Sequence, residues 1–355
     1  MDIFNITLPV AGIEFNVLLL IVIGFCVGVL GGFFGVGGAW IVTPALNIFG
    51  FHMAYAIGTD LAHIFGKSIV ATKKHSKMGN VDWKLGLISI LASIAGVELG
   101  SQLIMLLEKS GNVGTIVRWS YIVLLLGLSM FMLYDYFVVR PSQNDALTKE
   151  VTKSSGKIKK KKKKIPLSKR LHKIKIPPMV SFPTSGIESV SLWIVLFIFF
   201  ITGFLSGFMG VGGGFIRMPA LVYLIGCPTA IAVGTDLMSV LFSGAYGCLT
   251  YALKGRVEIV AAFYMLLGAS IGAQLGVTAV KYIRGYGIRL LFAIMIAFAG
   301  ISVVIEQIYK MTNIQIYSSI AGILVIGASI LMTLVICAKL FVEVRKEKQL
   351  RKVNA

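Results

Sequence analysis

Long apolar runs dominate this chain and constrain its fold more than any other feature. Hydrophobic residues make up 57% of the 355 positions, charged residues make up only 14%, and the mean hydropathy is +0.87. A soluble core cannot bury so much apolar side chain. At roughly 20 residues per spanning helix, the apolar part of the chain suffices for about eight to eleven membrane crossings. The sequence therefore predicts an all-α polytopic membrane protein and excludes a soluble enzyme with a membrane tail.

The net charge of +19 is concentrated in one polar stretch. Residues 140–188 carry 14 Lys and Arg against three acidic residues, including an unbroken lysine run at 159–164. The run has no interleaved aromatic residues and lies between hydrophobic spans. We interpret 140–188 as a basic cytoplasmic loop beside anionic lipid, we predict it to be disordered, and we expect no nucleic-acid partner.

The sequence matches itself over two stretches. Residues 32–46 align with 207–221 at an offset of 175, with ten of fifteen residues identical. After a one-residue insertion, 56–61 aligns with 232–237 and 79–82 with 255–258. Register held over such a distance indicates an internal duplication. The predicted organisation is a first transmembrane repeat at 1–139, the loop at 140–188, a second repeat at 189–308, and an extra helix with a basic cytoplasmic tail at 309–355.

The relation between the two repeats depends on a short apolar segment of about 12 residues in each. If these segments cross the membrane the repeats are inverted, and if they are re-entrant the repeats are parallel. With the basic loop placed inside, the inverted arrangement puts twelve Lys and Arg inside against five outside, whereas the parallel arrangement puts seven inside and ten outside. The positive-inside rule favours inversion, with Asn5 and Lys254 outside and Lys161 and Lys348 inside.

A glycine cluster precedes the short segment in each repeat, and a proline follows nine residues after its first glycine. Glycine permits positive φ, and an uncovered helix N-terminus beyond it presents free N–H groups to an anion. The alternative is that the glycines only let helices pack closely. The predicted anion-facing glycines are Gly35, Gly37 and Gly38 in the first repeat and Gly210, Gly212, Gly213 and Gly214 in the second, with Pro44 and Pro219 as helix breaks.

A polar stripe follows each break. Thr59, Asp60, His63 and Lys67 fall on one helix face, and their equivalents include Thr235, Asp236 and Ser239. Such a face inside a membrane must contact protein or water. Either the stripe lines a permeation path, or Asp60 and Lys67 neutralise each other near a helix end.

Arg217 is the only charged residue between Glu188 and Asp236. Within a short segment beside a glycine break it needs an anionic partner. Three readings stay open: an ion pair with Asp236, an oxyanion of the substrate, or a side chain that extends to the membrane interface. We place Thr43, Thr59 and Thr235 beside Arg217 at the breaks, where the two broken segments are expected to meet near the bilayer midplane.

No catalytic or metal-binding constellation is recognisable in the sequence. His63 has no Ser or Cys nucleophile at a defined spacing, and the remaining histidines lie near loops. The four cysteines lie in apolar runs without paired spacing. We therefore expect neither enzymatic activity nor a cofactor.

At these motifs the chain resembles the TauE/SafE sulfite-exporter family, within the toluene sulfonate uptake permease superfamily. The resemblance rests on GGFFGVGGAWIVTP, AIGTDLAHIFGKSIV and GNVD in the first half and on GFMGVGGGFIRMPALVYLIG, AVGTDL and ALKGRVE in the second. Ala39 stands where a third glycine is usual. The resemblance implies a cell-membrane carrier for sulfur-containing anions such as sulfite and organosulfonates, with proton-linked or facilitated movement.

The resulting hypothesis is a secondary transporter for a small anion that works by alternating access. The expected partners are the anionic substrate and membrane lipid; protons are a candidate coupling ion, and a homodimer is a candidate assembly. An anion channel and an integral-membrane enzyme are the alternatives.

Overall fold

The computed structural model describes residues 4–139, 171, 176–210, 213–283 and 285–353. Within these residues lie eleven α-helices, eight of them long and apolar enough to cross a membrane. The all-α polytopic fold class is confirmed. The helices are α1 (Val17–Phe34), α2 (Ala39–Ile48), α3 (Met53–Lys77), α4 (Trp83–Lys109), α5 (Val113–Tyr134), α6 (Leu192–Met209), α7 (Gly214–Ala220), α8 (Thr229–Leu253), α9 (Ile259–Tyr282), α10 (Gly285–Thr312) and α11 (Gln315–Val353). Short π-helical turns, Asp135–Val139 and Leu221–Ile225, extend α5 and α7.

Glycines let α1 and α9 pack backbone to backbone. Gly24 packs on Met265 and Gly32 packs on Ala273, so the contact advances in the same direction along both helices. The two helices therefore run parallel. Glycine at these positions of the long helices serves close packing, which was the alternative role for the glycines of the breaks, and those also pack closely on their neighbours.

The same arrangement joins α4 to α6. Gly203 packs on Ser93 and Gly207 packs on Val97, so these two helices also run parallel. The first helix of each predicted repeat thus pairs with the third long helix of the other one.

Helices α3 and α8 lie antiparallel at the centre of the bundle. Thr59, early in α3, contacts Glu258 just beyond the end of α8, and Thr235, early in α8, contacts Asp82 just beyond the end of α3. We call the end of the bundle at Thr59 and Glu258 the first face and the end at Thr235 and Asp82 the second face.

The parallel pairs then set the direction of the remaining helices. Helix α9 starts at the first face, so α1 runs from the first face to the second. Helix α4 starts at the second face, so α6 runs from the second face to the first. The first helices of the two halves run in opposite directions, which is the relation that inverted repeats require. The duplication itself stays a prediction.

Helices α1 and α2 form a hairpin with both ends at the first face. The ring of Phe15, just before α1, lies 5.6 Å from that of Phe49 and 6.1 Å from that of Phe51, just after α2. Helix α2 starts beside Val27, about halfway along α1, where Gly38 is its N-cap. The chain from Gly35 to Ile48 therefore returns to the first face, as the inverted arrangement requires, although α2 itself covers only about half of the depth of α1.

A two-stranded β-hairpin precedes the first helix of each half, which the sequence analysis did not predict. Strands β1 (Asn5–Leu8) and β2 (Ile13–Asn16) pair antiparallel, as do β3 (Met179–Phe182) and β4 (Ile187–Ser191). Their turns share Pro-x-x-Gly-Ile-Glu at an offset of 174, and Gly12 and Gly186 adopt positive φ of 69° and 67°. Residues 176–188, assigned to the loop predicted to be disordered, instead contribute to the second hairpin. The rest of that loop, 140–170 and 172–175 with the lysine run, lies outside the described residues.

An acidic residue anchors each hairpin to the bundle. The Glu258 carboxylate accepts hydrogen bonds from the backbone N–H groups of Val10 (2.7 Å) and Ala11 (3.0 Å). The Asp82 carboxylate accepts one from the Ser185 hydroxyl (2.7 Å). Glu258 and Asp82 also cap the N-termini of α9 and α4, so each residue joins a hairpin to a helix of the other half.

Replacing Gly272 by alanine should destabilise the bundle by about 1–3 kcal/mol. The new Cβ would overlap the carbonyl oxygen of Phe25, which is backbone and cannot move aside cheaply. Gly127→Ala is the matched control, because a Cβ there meets nothing within 4 Å and alanine is the better helix former. Melting temperatures in detergent compare the two; equal melting temperatures would contradict parallel packing of α1 on α9.

Cysteine labelling should place residues 254 and 346 on opposite sides of the membrane. Lys254 follows α8 at the first face, whereas Tyr282 donates a 2.7 Å hydrogen bond to Glu347 near the end of α9, which places that part of α11, including Lys348, at the second face. Asn5 lies with Lys254, and Lys161 lies outside the described residues. In a background without the four native cysteines, an impermeant maleimide applied from outside should label only one of the two single-cysteine variants. Labelling of both from the same side would refute the helix directions.

Candidate functional site: two charge clusters at the helix breaks

Each break is built from two glycines in the left-handed region of φ. Helix α1 ends at Gly35 (φ 85°) and α2 starts after Gly38 (φ 81°), while α6 ends at Gly210 (φ 76°) and α7 starts after Gly213 (φ 74°). An L side chain rarely adopts these angles, so the glycines allow the chain to reverse within the bundle. Gly37 also has positive φ (38°); Gly212 lies outside the described residues.

The breaks lie against the central helices of the opposite half. A Cβ at Gly35 would lie 2.6 Å from the Cα of Val233 in α8, and one at Gly210 would lie 2.9 Å from the Cα of Ile57 in α3. Gly214 approaches the Cα of Val36, at 2.8 Å by the same measure. The two breaks are therefore adjacent in the interior.

In each half, a side chain of a central helix, α3 or α8, donates a hydrogen bond to a carbonyl near the C-terminal end of the first helix, α1 or α6. The His75 Nε2 donates to the Gly32 carbonyl at 3.1 Å, and the Tyr251 hydroxyl donates to the Gly207 carbonyl at 2.8 Å. The Tyr121 hydroxyl of α5 donates to the Met209 carbonyl, two residues further along α6, also at 2.8 Å. These donors satisfy helix C-terminal carbonyls that have no partner within the helix.

The threonines of the two Gly-Thr-Asp motifs hydrogen-bond to the backbone of the opposite half. The Thr59 hydroxyl accepts the Glu258 backbone N–H at 2.9 Å, and the Thr235 hydroxyl accepts the Asp82 backbone N–H at 2.9 Å. Their hydroxyls therefore point away from the breaks, where the sequence analysis had placed them.

The glycines of these motifs make room for the same connections. A Cβ at Gly58 would overlap the Arg256 carbonyl oxygen, and one at Gly234 would overlap the Asn80 carbonyl oxygen. The Gly-Thr pair of each motif thus packs against a loop of the opposite half, which contains Arg256 or Asn80. The aspartate that follows is buried in the interior.

The first charge cluster joins α2 to α3. The Thr43 hydroxyl donates to Asp60 Oδ2 at 2.8 Å, and His63 Nδ1 lies 3.5 Å from Asp60 Oδ1. Lys67 lies two turns further along α3, and its Nζ makes no hydrogen bond with any described residue. Asp60 and His63 are 0% exposed and Lys67 is 1% exposed. The stripe therefore faces the protein interior, and Thr43 is the described side chain that hydrogen-bonds to Asp60.

The second charge cluster joins α6, α7 and α8. Arg217 Nε donates to the Thr202 hydroxyl at 3.1 Å, and Nη1 lies 3.6 Å from Asp236 Oδ1. The guanidinium also lies over the Phe199 ring, 5.5 Å from its centroid. Arg217 and Asp236 are both 0% exposed, so the side chain does not extend to the membrane interface.

The ion pair in the second cluster leaves hydrogen-bonding capacity unused. Neither Nη atom of Arg217 and neither carboxylate oxygen of Asp236 hydrogen-bonds to a described residue. Two of the three interpretations of Arg217 are compatible with this geometry. The side chain forms an ion pair with Asp236, and its two Nη atoms keep donors that an oxyanion could use.

The two clusters have the same net charge, but their cationic residues lie at positions that are not equivalent in the two halves. Each contains one aspartate at an equivalent position and one cationic residue, yet Lys67 is matched by Ser243 and Arg217 by Val42. The cation lies on the long central helix in one half and on the short helix in the other. Ser239, the equivalent of His63, lies 2.8 Å from the Ser89 hydroxyl instead of joining the second cluster.

Sequence reasoning missed Thr202 and Phe199 as partners of Arg217. Both lie in an apolar helix, and Thr202 aligns with Val27 at the offset of 175. A threonine that replaces valine at a matched position in a membrane helix was the available signal. Among the described residues, no three His, Cys, Asp or Glu side chains are grouped as metal ligands.

Thr235→Val should lower the free energy of unfolding by about 1–3 kcal/mol. The substitution keeps the shape but leaves the buried N–H of Asp82 without its acceptor, and Thr235→Ser should recover most of the loss. Thr59→Val should act in the same way on Glu258. Thermal unfolding of the purified variants measures this, and an unchanged melting temperature for both valine variants would show that these bonds do not hold the halves together.

Comparison with known proteins connects this geometry to a family. The family model for the sulfite exporter TauE/SafE matches residues 20–303. The chain is 23% identical over 302 residues to the probable membrane transporter protein YunE of Bacillus subtilis, covering 82% of this chain and 99% of the relative. It is 25% identical over 310 residues to a probable membrane transporter protein of Methanocaldococcus jannaschii, covering 81% and 97%. A probable membrane transporter protein of Xylella fastidiosa is 26% identical over 263 residues, covering 72% and 79%.

No solved structure matches the chain. The family match extends from the first helix to α10 and so includes both breaks and both charge clusters. The family that the sequence motifs indicated is confirmed: this multi-pass membrane protein belongs to the TauE/SafE sulfite exporter family of membrane transporters.

Proposed function

We propose that the protein is a secondary transporter that carries a small oxyanion by alternating access, with Arg217 as the residue that binds the anion. The observation that supports this most is the pair of unused Nη donors on a fully buried guanidinium. The family model that matches the chain is described as a sulfite exporter, so a sulfur-containing oxyanion such as sulfite or an organosulfonate is the substrate class to test first.

The unsatisfied donors of the buried Arg217 guanidinium cost free energy, and a bound anion would recover part of that cost. A buried donor without a partner costs about 1–3 kcal/mol, and more when it is charged. An arginine fork matches two oxygens of a carboxylate, sulfonate or sulfite in geometry. Asp236 stabilises the cation when the anion is absent, and its 3.6 Å approach without a hydrogen bond leaves the fork available.

Glycine at the break lets the guanidinium lie against the backbone. A Cβ at Gly213 would lie 2.9 Å from Nη2 and would overlap the carbonyl oxygen of Thr202. Any larger residue would therefore displace the fork and strain a positive φ.

Alternating access is supported by closure of both clusters. The charged side chains at the breaks are at most 1% exposed, so an anion in water at either face reaches them only after the helices move. Oppositely directed halves around a central pair can open toward one face or the other by the same type of movement. We propose that α3 and α8, which carry the two aspartates, are the helices against which the breaks move.

Counterflow in proteoliposomes tests the proposal. With [³⁵S]sulfite outside and unlabelled sulfite inside, a carrier should accumulate label transiently, whereas a channel should show no trans-stimulation and an enzyme should alter the compound. Arg217→Gln should reduce counterflow by about ten- to a hundredfold, given that a hydrogen bond to a charged group contributes about 1.5–3 kcal/mol. Arg217→Lys should retain part of the rate, because it keeps the charge but loses the fork.

Arg256→Gln is the matched control for loss of an arginine. Arg256 pairs with Glu108 at 2.9 Å at the first face, where its side chain is 31% exposed, so its loss should leave counterflow within about twofold of the wild type. Full counterflow in Arg217→Gln would remove Arg217 from the anion site.

Stability separates a binding role from a purely structural one. Arg217→Gln alone leaves the Asp236 carboxylate buried without its cation and should lower the melting temperature. The double variant Arg217→Gln with Asp236→Asn should recover much of that loss yet remain inactive in counterflow. Recovery of both stability and transport in the double variant would assign the pair a structural role only.

A further inference from the structure

Lys67 brings a second buried cation to a helix break. A Cβ at Gly38 would lie 2.7 Å from Lys67 Nζ, and one at Gly31 would lie 3.1 Å from it. The ammonium group therefore lies beside the residue that caps the N-terminus of α2. It is 1% exposed and has no hydrogen-bond partner in the described part of the chain.

The N-terminus of α2 offers donors and no acceptor to this lysine. Helix α2 is ten residues long, and its N-cap Gly38 has no side chain to cap the first N–H groups. Ile41 donates to the Gly38 carbonyl at 3.1 Å, so the groups without a partner within the helix are those of Ala39 and Trp40, at the positive end of the helix dipole. An ammonium group beside the positive end of a helix is unfavourable unless an anion lies between them.

The indole of Trp40 adds another unused donor to the first turn of α2. Its Nε1 is buried without a hydrogen-bond partner among the described residues. Trp40 is 0% exposed, and its ring packs against Phe292 at 6.0 Å between centroids. An indole N–H normally finds an acceptor when it is buried. Lys67, Trp40 and the helix terminus are thus all donors.

The carboxylate on α3 does not supply the missing acceptor. Asp60 Oδ2 accepts from Thr43, and Oδ1 lies nearest to His63, one turn along the helix. Lys67 lies a further turn away and bonds to neither oxygen. Asp60 therefore offsets the charge of Lys67 without occupying its donors.

The position of Lys67 Nζ corresponds to that of the Arg217 fork. Gly38 and Gly213 align at the offset of 175, and a Cβ at Gly213 would lie 2.9 Å from Arg217 Nη2. A cation thus reaches the equivalent glycine in both halves, although it comes from α3 in one and from α7 in the other. This equivalence is the reason to consider the two positions as the same type of site.

We infer that the break before α2 is a second anion site, in which Lys67 and the N–H groups of Ala39 and Trp40 at the start of α2 bind a small oxyanion. Its ligand class rests on the function proposed above, whereas its location rests on Lys67 and α2. The protein then binds two oxyanions per chain, one at each break.

Selenate is the probe for this site, because it is a small oxyanion whose selenium scatters X-rays anomalously. Crystals of the full chain soaked with selenate should show one peak within hydrogen-bonding distance of Lys67 Nζ beside Gly38 and a second beside Arg217. Calorimetric titration of the purified protein should give two sites per chain. No peak beside Gly38 at a concentration that saturates the calorimetric signal would overturn the inference.

Lys67→Gln should remove the peak beside Gly38 and reduce the stoichiometry from two to one. The matched control is Lys74→Gln on the same helix, where Nζ donates to the Gln274 carbonyl and the Thr278 hydroxyl, both at 2.6 Å, and takes no part in the break. It should keep two sites. Two sites in Lys67→Gln would contradict the inference.

Two further variants keep the test decisive if Lys67→Gln folds poorly. The double variant Lys67→Gln with Asp60→Asn preserves the buried charge balance and should also bind one selenate. Gly31→Ala keeps the charge but places a methyl group 3.1 Å from Nζ, and it should weaken the α2 site alone by about tenfold. Unchanged affinity at both sites in Gly31→Ala would overturn the placement of the anion.

The outcomes for the two sites are separable. Arg217→Gln should remove only the peak beside Arg217. A peak at Gly38 without one at Arg217 in the wild type would refute the proposed role of Arg217 and retain the second site. The reverse result would refute the second site and retain the proposed function.

Discussion

The burial of four charged side chains at the centre of a membrane protein constrains the rest of this structure. An ionised residue at mid-bilayer costs about 2.5–3.5 kcal/mol even by insertion scales. Asp60 with Lys67 and Asp236 with Arg217 each sum to zero charge, which lowers this cost. Neither pair forms a direct hydrogen bond. The protein therefore keeps, at each break, charged side chains that sum to zero but leave part of their hydrogen-bonding capacity unused.

The backbone around the clusters follows from the need to bring these charges together. Positive φ at Gly35 and Gly38 reverses the chain within the bundle, so that α2 returns toward the face where α1 began. A long unbroken helix would carry Thr43 away from Asp60. Interlocked glycines between α1 and α9 and between α4 and α6 then fix the outer helices. The rigid outer pairs hold the two breaks against the central helices.

Connections across the halves act at both faces. The Thr59 and Thr235 hydroxyls bind backbone N–H groups of the opposite half, and the same two acidic residues, Glu258 and Asp82, receive the β-hairpins. Movement of one half against the other at either face must therefore strain or break one of these connections. Each face has its own group of these hydrogen bonds, so the bonds at one face can break while those at the other remain.

Much of this architecture could be predicted from local sequence pattern. The apolar runs indicated the all-α membrane fold, and the repeated glycine clusters located both breaks. The aspartates and Arg217 were recognised because charge is rare in apolar surroundings. The partner of each polar group could not be predicted, since Thr59 and Glu258 are 199 residues apart and only the packed bundle brings them together. The hairpins were missed because the second one adjoins the basic stretch, whose composition concealed the Pro-x-x-Gly-Ile-Glu turn.

The most direct test of the central claim, that Arg217 keeps free donors for an anion, is a structure of the protein in lipid nanodiscs determined by cryo-electron microscopy with and without sulfite. The account predicts added density within hydrogen-bonding distance of both Nη atoms when sulfite is present, with Asp236 still beside the guanidinium. A bidentate Arg217 to Asp236 pair in both samples, without added density at the fork, would contradict it.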